Sequence, residues 1–316
     1  MLRKTAWFVG VGVALGLLQV GCGVEAGDGD RFREAIPEAA DVSLGVPGAA
    51  TDANAQALVA PSLAERARFY QFTRDVSEGV DRVTRSILGS IWLVVHTQPS
   101  SVEPHRATWG PGADALSPVV WRLRVTEVGD GVFDYQLDGR PKGSTNESDY
   151  LTVLKGRGYG RSHAEHRNGS FTVDNDAART LDPARASDHG TTKIVHHLRA
   201  WPAKIDVAIR PTPDPNWLDI AVTHERDGSG AVDVSGRTDV EETNKDGNLE
   251  DIVLHNRWAA SGAGRADVQI TAGSVPILFK ASECWSPVFA RTYYVDNAGT
   301  AAIGDSASCV FPDASF

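Results

Sequence analysis

The densest run of possible ligands is His163-Ala164-Glu165-His166. Zinc would suit it if both histidines stood on one helical face with the glutamate between them as base. Gly158-Tyr159-Gly160 before it and Asn168-Gly169 after it predict a loop or strand end instead, so His163 and His166 read first as solvated histidines. Adjacent His196 and His197, on a predicted strand, point to opposite faces and do not readily share an ion. Glu242-Thr243-Asn244-Lys245-Asp246-Gly247 opens with calcium-loop spacing, its oxygen ligands being Glu242, Asn244 and Asp246. An EF-hand would need a bidentate Glu where Val253 stands, and the following Leu249–Trp258 reads as strand, so a hairpin turn explains Asp246-Gly247. No resident metal or other cofactor is expected.

Nucleophilic chemistry has no local signature. Gly-x-Ser-x-Gly is absent, and Gly228-Ser229-Gly230 and Gly169-Ser170 are turns. Gly156-Arg157-Gly158-Tyr159-Gly160-Arg161 resembles an anion-binding loop but opens no helix, so it reads as a flexible hairpin. No catalytic residue is assigned. A hydrolase would need a site assembled only by the fold.

The elements that would position such residues are plainer. From Ser62 to about Thr97, Phe69, Phe72, Val76, Val80, Val83, Ile87, Ile91 and Val94 recur at steps of three and four. That predicts one long amphipathic helix, opened by a Ser62–Glu65 capping box and ended before Pro99. Pro99 to Pro118 reads as irregular. From Val119 onward, short alternating runs separated by Gly-containing turns predict about eleven antiparallel strands. The expected fold is α+β and mostly β: a large curved antiparallel sheet, a meander that is open or closed into a barrel, with the helix packed on it.

Residues 62–316 then form a single domain. Residues 22–61 are rich in Gly, Ala, Pro and acids, and read as a disordered acidic tether, although Phe32 and Ile36 could dock on the domain. The net charge of −10 excludes a nucleic-acid backbone as partner, since phosphate binding needs a basic surface.

Residues 1–21 read as a signal peptide, with Arg3 and Lys4 before an apolar run from Ala6 to Val20. That run ends in Leu17-Leu18-Gln19-Val20-Gly21-Cys22, which resembles the lipobox of bacterial lipoprotein precursors. Gln19 stands where an aliphatic residue is usual, with Leu18 one step earlier. An ordinary secretory signal with an incidental Cys is the alternative. The resemblance implies cleavage before Cys22, lipidation of that cysteine, and a membrane held through acyl chains. Gly23 implies, by the enterobacterial sorting rule, passage to the outer membrane. The expected address is a bacterial cell envelope. In an exported chain the two other cysteines, Cys284 and Cys309, read most simply as one disulfide bond.

These features give address and architecture more clearly than activity. The leading reading is a membrane-anchored, non-enzymatic envelope lipoprotein acting as an interaction or structural module, with an envelope protein as partner. The alternative is a carrier of an apolar small molecule such as a lipid, held in a helix-covered β concavity. The hydrolase is a second alternative.

Overall fold

The computed structural model describes residues 29–47, 66–113, 117–184, 189–239, 247–275 and 277–316. Cys22 and the calcium candidates Glu242, Asn244 and Asp246 lie outside them. Three helices are described: α1 Asp30–Arg33, α2 Arg68–Val95 and α3 Asn175–Leu181. Strand β1 is Ser101–Glu103, β2 Arg106–Gly112, β3 Val119–Gly129, β4 Val132–Pro141 and β5 Leu151–Tyr159. β6 is Asn168–Asp174, β7 Thr191–His197, β8 Ala203–Arg210, β9 Trp217–His224 and β10 Gly230–Thr238. β11 Glu250–Trp258, β12 Gly264–Ala272, β13 Phe279–Trp285 and β14 Arg291–Asp296 complete the set.

All fourteen strands belong to one sheet in chain order, and each pairs antiparallel with its sequence neighbours. The sheet is an open meander whose edges are β1 and β14. Both edges are blunted against pairing with another chain. β1 has three residues. Tyr294 of β14 exchanges two backbone hydrogen bonds, each 2.9 Å, with Ile303.

The count of about eleven is corrected to fourteen. The stretch Pro99–Pro118 holds β1 and β2, where Ala107 and Trp109 face the core. The register breaks between Trp109 and Gly112, so the alternation that would mark a strand is cut short in the sequence. The position of β13 is also hard to read from the sequence. Residues Ala281 to Trp285 are buried on both faces of β13, and their mixed apolar and polar types hide the period.

One face of the sheet is apolar. Trp109, Leu123, Phe133, Phe171, Val207, Leu254 and Val268, from seven strands, share a single core with Tyr70, Leu88 and Ile91 of α2. The buried face of α2 carries only part of the apolar stripe expected of it: Val80 and Ile91 are buried, beside Leu88. Phe69, Phe72, Val76, Ile87 and Val94 are only partly buried, whereas Thr73, Ser77, Asp81 and Thr84 are buried, at steps of four, four and three. Thr73 accepts a hydrogen bond from the Asn256 amide of β11, and Asp81 accepts the Ser43 hydroxyl and the Leu44 amide at 2.7 Å each. For Thr73 and Asp81, partners on the facing elements thus offset desolvation, whereas the Ser77 and Thr84 hydroxyls have no hydrogen-bond partner among the described residues.

The amino end of α2 is also built differently. Residues 61–65, with the Ser62–Glu65 pair, lie outside the described residues, and α2 begins at Arg68 without a side-chain cap of its own. Glu283 of β13 takes that role, accepting the backbone amides of Arg68, Phe69 and Tyr70.

Residues 29–47, expected to be part of a disordered tether, are packed instead. Phe32, Val42 and Leu44 are fully buried, and Phe32 meets Phe133 edge-on with ring centres 5.7 Å apart. The segment runs along one end of the sheet. Its Ala35 carbonyl lies over Gly158 of β5, Asp41 pairs with Arg167, and Leu44 hydrogen-bonds His224 of β9. Cys284 and Cys309 lie at disulfide-bonding distance, with Cα atoms 5.8 Å apart.

Candidate functional site on the outer face of the sheet

Strand alternation turns every second side chain of β7–β11 away from the core, and register decides which of them meet. Asp206 stands opposite Ala221, Ala221 opposite Asp233, and Asp233 opposite His255. One step along, Ala208, Asp219, Ser235 and Val253 form the parallel row. Because Ala208, Ala221 and Ser235 are short, the sheet surface dips between taller neighbours. The result is a shallow concavity of about 450 Å³, bordered by Lys193, Asp206, Asp219, Asp233 and His255. A second, of about 510 Å³, lies at the β8–β9 loop beside Arg210 and Trp217, and the two share Asp219.

The polar groups here are partly committed. Arg210 holds Asp219 through two hydrogen bonds of 2.6 and 2.9 Å while its guanidinium covers the Trp217 ring at 5.6 Å. His255 Nδ1 lies 2.7 Å from Asp233 Oδ1, which fixes the imidazole plane. Asp206 has no side-chain partner among the described residues. Of the three carboxylates around the dip, Asp219 and Asp233 keep lone pairs beyond those used by Arg210 and His255, and Asp206 has all of its own to offer an ammonium or hydroxyl group. A different carboxylate, Asp138, is closed to such use: it is buried and already accepts from Arg124 at 2.7 Å, Gln136 at 2.6 Å and Thr152 at 3.0 Å.

The histidines singled out in the sequence are dispersed. His163 lies in the turn after β5, stacked on Tyr159 at 4.8 Å, and its Nδ1 accepts the Glu165 amide at 3.0 Å. His166 Nδ1 lies 3.4 Å from the Tyr159 carbonyl. Among the described residues no three of His, Cys, Asp and Glu gather as a metal site. His196 and His197 do face opposite ways: His196 is buried and His197 exposed. The run Gly156–Arg161 is not an anion loop or a flexible hairpin. Gly156 and Gly158 lie inside β5, where a side chain would overlap the Tyr135 ring and the Ala35 carbonyl respectively.

Two further histidines sit under the segment 29–47. His196 Nδ1 is 3.1 Å from the Arg167 carbonyl, and burial holds its pKa below the ordinary histidine value. His224 is lowered for the same reason, opposed by its hydrogen bond to Leu44 and by Asp81. From the sequence His196 is weighed only as an ion ligand beside His197, and the packing of both His196 and His224 goes unseen. The alternation Val42-x-Leu44-x-Val46 was the available signal.

No family model, curated protein or solved structure matches the chain. Among the described residues no helix is long and apolar enough to cross a membrane.

Proposed function

We propose that this chain is an exported lipoprotein anchored in a bacterial envelope through Cys22, whose folded part works by binding a partner rather than by catalysis. One observation carries the reading. The apolar face of the sheet is packed by α2 and by residues 29–47, while the two concavities described above lie outside it. A carrier needs the reverse, an apolar cavity with a way in.

The sheet curls around its helix in this reading. Twelve strands, from β2 to β13, would span roughly 50 Å if flat. The segment from Tyr70, against Trp285 of β13, to Thr97, bonded to Trp109 of β2, covers only about 40 Å as helix. The outer face is then convex and open to a macromolecular partner, with the Asp206–Asp219–Asp233 floor favouring a cationic or hydroxyl-rich surface.

The test is a native mass spectrum of residues 23–316, exported to an oxidising compartment and purified without detergent. A bare mass short by two hydrogens supports the module. Excess mass that matches a lipid and is lost on denaturation overturns it in favour of a carrier. Anchoring is tested separately by detergent-phase partitioning of the full precursor, which Cys22→Ala should abolish.

A further inference from the structure

Residues after Cys309 cross the outer face of β11–β13 and are held there by side chains that recognise backbone. Arg265 Nη1 donates to the Phe311 carbonyl at 3.2 Å and to the Pro312 carbonyl at 2.7 Å. Arg257 Nη2 donates to the Asp313 carbonyl at 2.8 Å, and Asp267 Oδ2 accepts the Ser315 amide at 2.9 Å. Two aromatic rings bracket the segment. Phe311 lies under the Arg257 guanidinium at 5.1 Å and Phe316 under the Lys280 ammonium at 4.7 Å.

The receiving side is tied together by hydrogen bonds among its own residues. Arg265 and Asp267 are 2% and 0% exposed, and Arg265 Nε donates to both Asp267 oxygens at 2.8 and 3.1 Å. Ser282 adds a hydrogen bond of 2.5 Å to the same carboxylate. A buried ion pair fixed in this way is preorganised. The held side is the opposite case. Pro312 to Phe316 are exposed, and no residue after Tyr294 belongs to the hydrophobic core. Such a segment can leave at low cost in local unfolding. The Cys284–Cys309 pair keeps it nearby, so it occupies its site at high effective concentration.

We infer that the outer face of β11–β13 is a peptide-recognition site, filled in cis by Phe311–Phe316, that takes in trans an extended segment of a partner protein carrying two aromatic residues at the same spacing. Backbone carbonyls are read by Arg257 and Arg265, an amide by Asp267, and the rings by Arg257 and Lys280. The site is separate from the concavity on β7–β11, so either can fail without the other.

The test uses the chain ending at Val310, which keeps Cys309, and the peptide Phe-Pro-Asp-Ala-Ser-Phe, fluorescein-labelled at its amino end and amidated at the other. Anisotropy should show saturable one-to-one binding to the shortened chain, at least tenfold weaker binding to the full chain, and at least tenfold weaker binding to the shortened chain carrying Arg257→Gln. No binding by a shortened chain whose thermal melt matches that of the full chain overturns the proposal. So does equal binding by the Arg257→Gln variant, or by a peptide with both phenylalanines changed to alanine. A dimer of the full chain that is absent from the shortened one would assign the site to a second copy and overturn the partner reading.

Discussion

Glu283 and Phe69, on a strand and a helix more than two hundred residues apart, meet at 2.5 Å through a carboxylate oxygen and a backbone amide. The same carboxylate takes the Arg68 and Tyr70 amides at 2.9 and 3.0 Å, and it is completely buried. It therefore replaces the local cap that α2 lacks and joins the helix to β13 in one group.

Burial pushes the Glu283 pKa up to about 7, against the three amides and Arg291, which pull it down. A folded-state value raised above the unfolded one means that the folded protein binds the proton more tightly. This group's contribution is full below the unfolded value of about 4.5 and is lost as pH rises through about 7. Urea midpoints should fall across that window by an amount equivalent to about 3 kcal/mol, and Glu283→Gln should flatten the slope. A slope unchanged in the variant would refute the assignment.

The histidines under residues 29–47 have the opposite sign. His196 bonds the Arg167 carbonyl and feels the charges of Asp41 and, from the opposite face, His197, while His224 bonds Leu44 and feels Asp81. Both have lowered pKa values, so their contribution is present above the unfolded value of about 6.5 and is lost as pH falls through the folded values. Hydrogen exchange at the Leu44 amide should accelerate below pH 6 before the sheet amides do. His224→Gln should weaken that dependence.

Gly158→Ala should dislodge the same segment at neutral pH, since the added methyl overlaps the Ala35 carbonyl. The expected cost is about 1–3 kcal/mol, as for overpacking elsewhere, with faster proteolysis within residues 29–47. Gly143→Ala is the control: a Cβ there meets nothing within 4 Å.

Removing the Cys284–Cys309 bridge, whose cysteines are 25 residues apart in sequence, should lower stability by roughly 3 kcal/mol in the chain-entropy model. Denaturant melts of a Cys284→Ala, Cys309→Ala double variant would measure it. An unchanged midpoint would mean that the bridge restrains the outer segment alone.

Legibility followed how a residue's environment is set. Strands with one wet face, such as β8 with Ile205 and Val207 inward and Lys204 and Asp206 outward, declared themselves by alternation. β13 did not, because α2 covers Glu283 on one side and the segment after Cys309 covers Ser282 and Cys284 on the other. Part of the buried face of α2 was misread for a related reason. Thr73 and Asp81 look solvated until Asn256 and the Ser43–Leu44 backbone arrive from distant parts of the chain. The floor of Asp206, Asp219 and Asp233 was invisible as a site, since only pairing register places three separate strands side by side.

The docking of Phe32 changes the mechanics of attachment. Under the proposed anchoring through Cys22, Gly29 stands only seven residues beyond the acylated cysteine, a span of at most about 25 Å. A module so anchored would stay close to the headgroups rather than range away from them. The end of the sheet crossed by residues 29–47 would face the lipid, so anchoring would also orient the module.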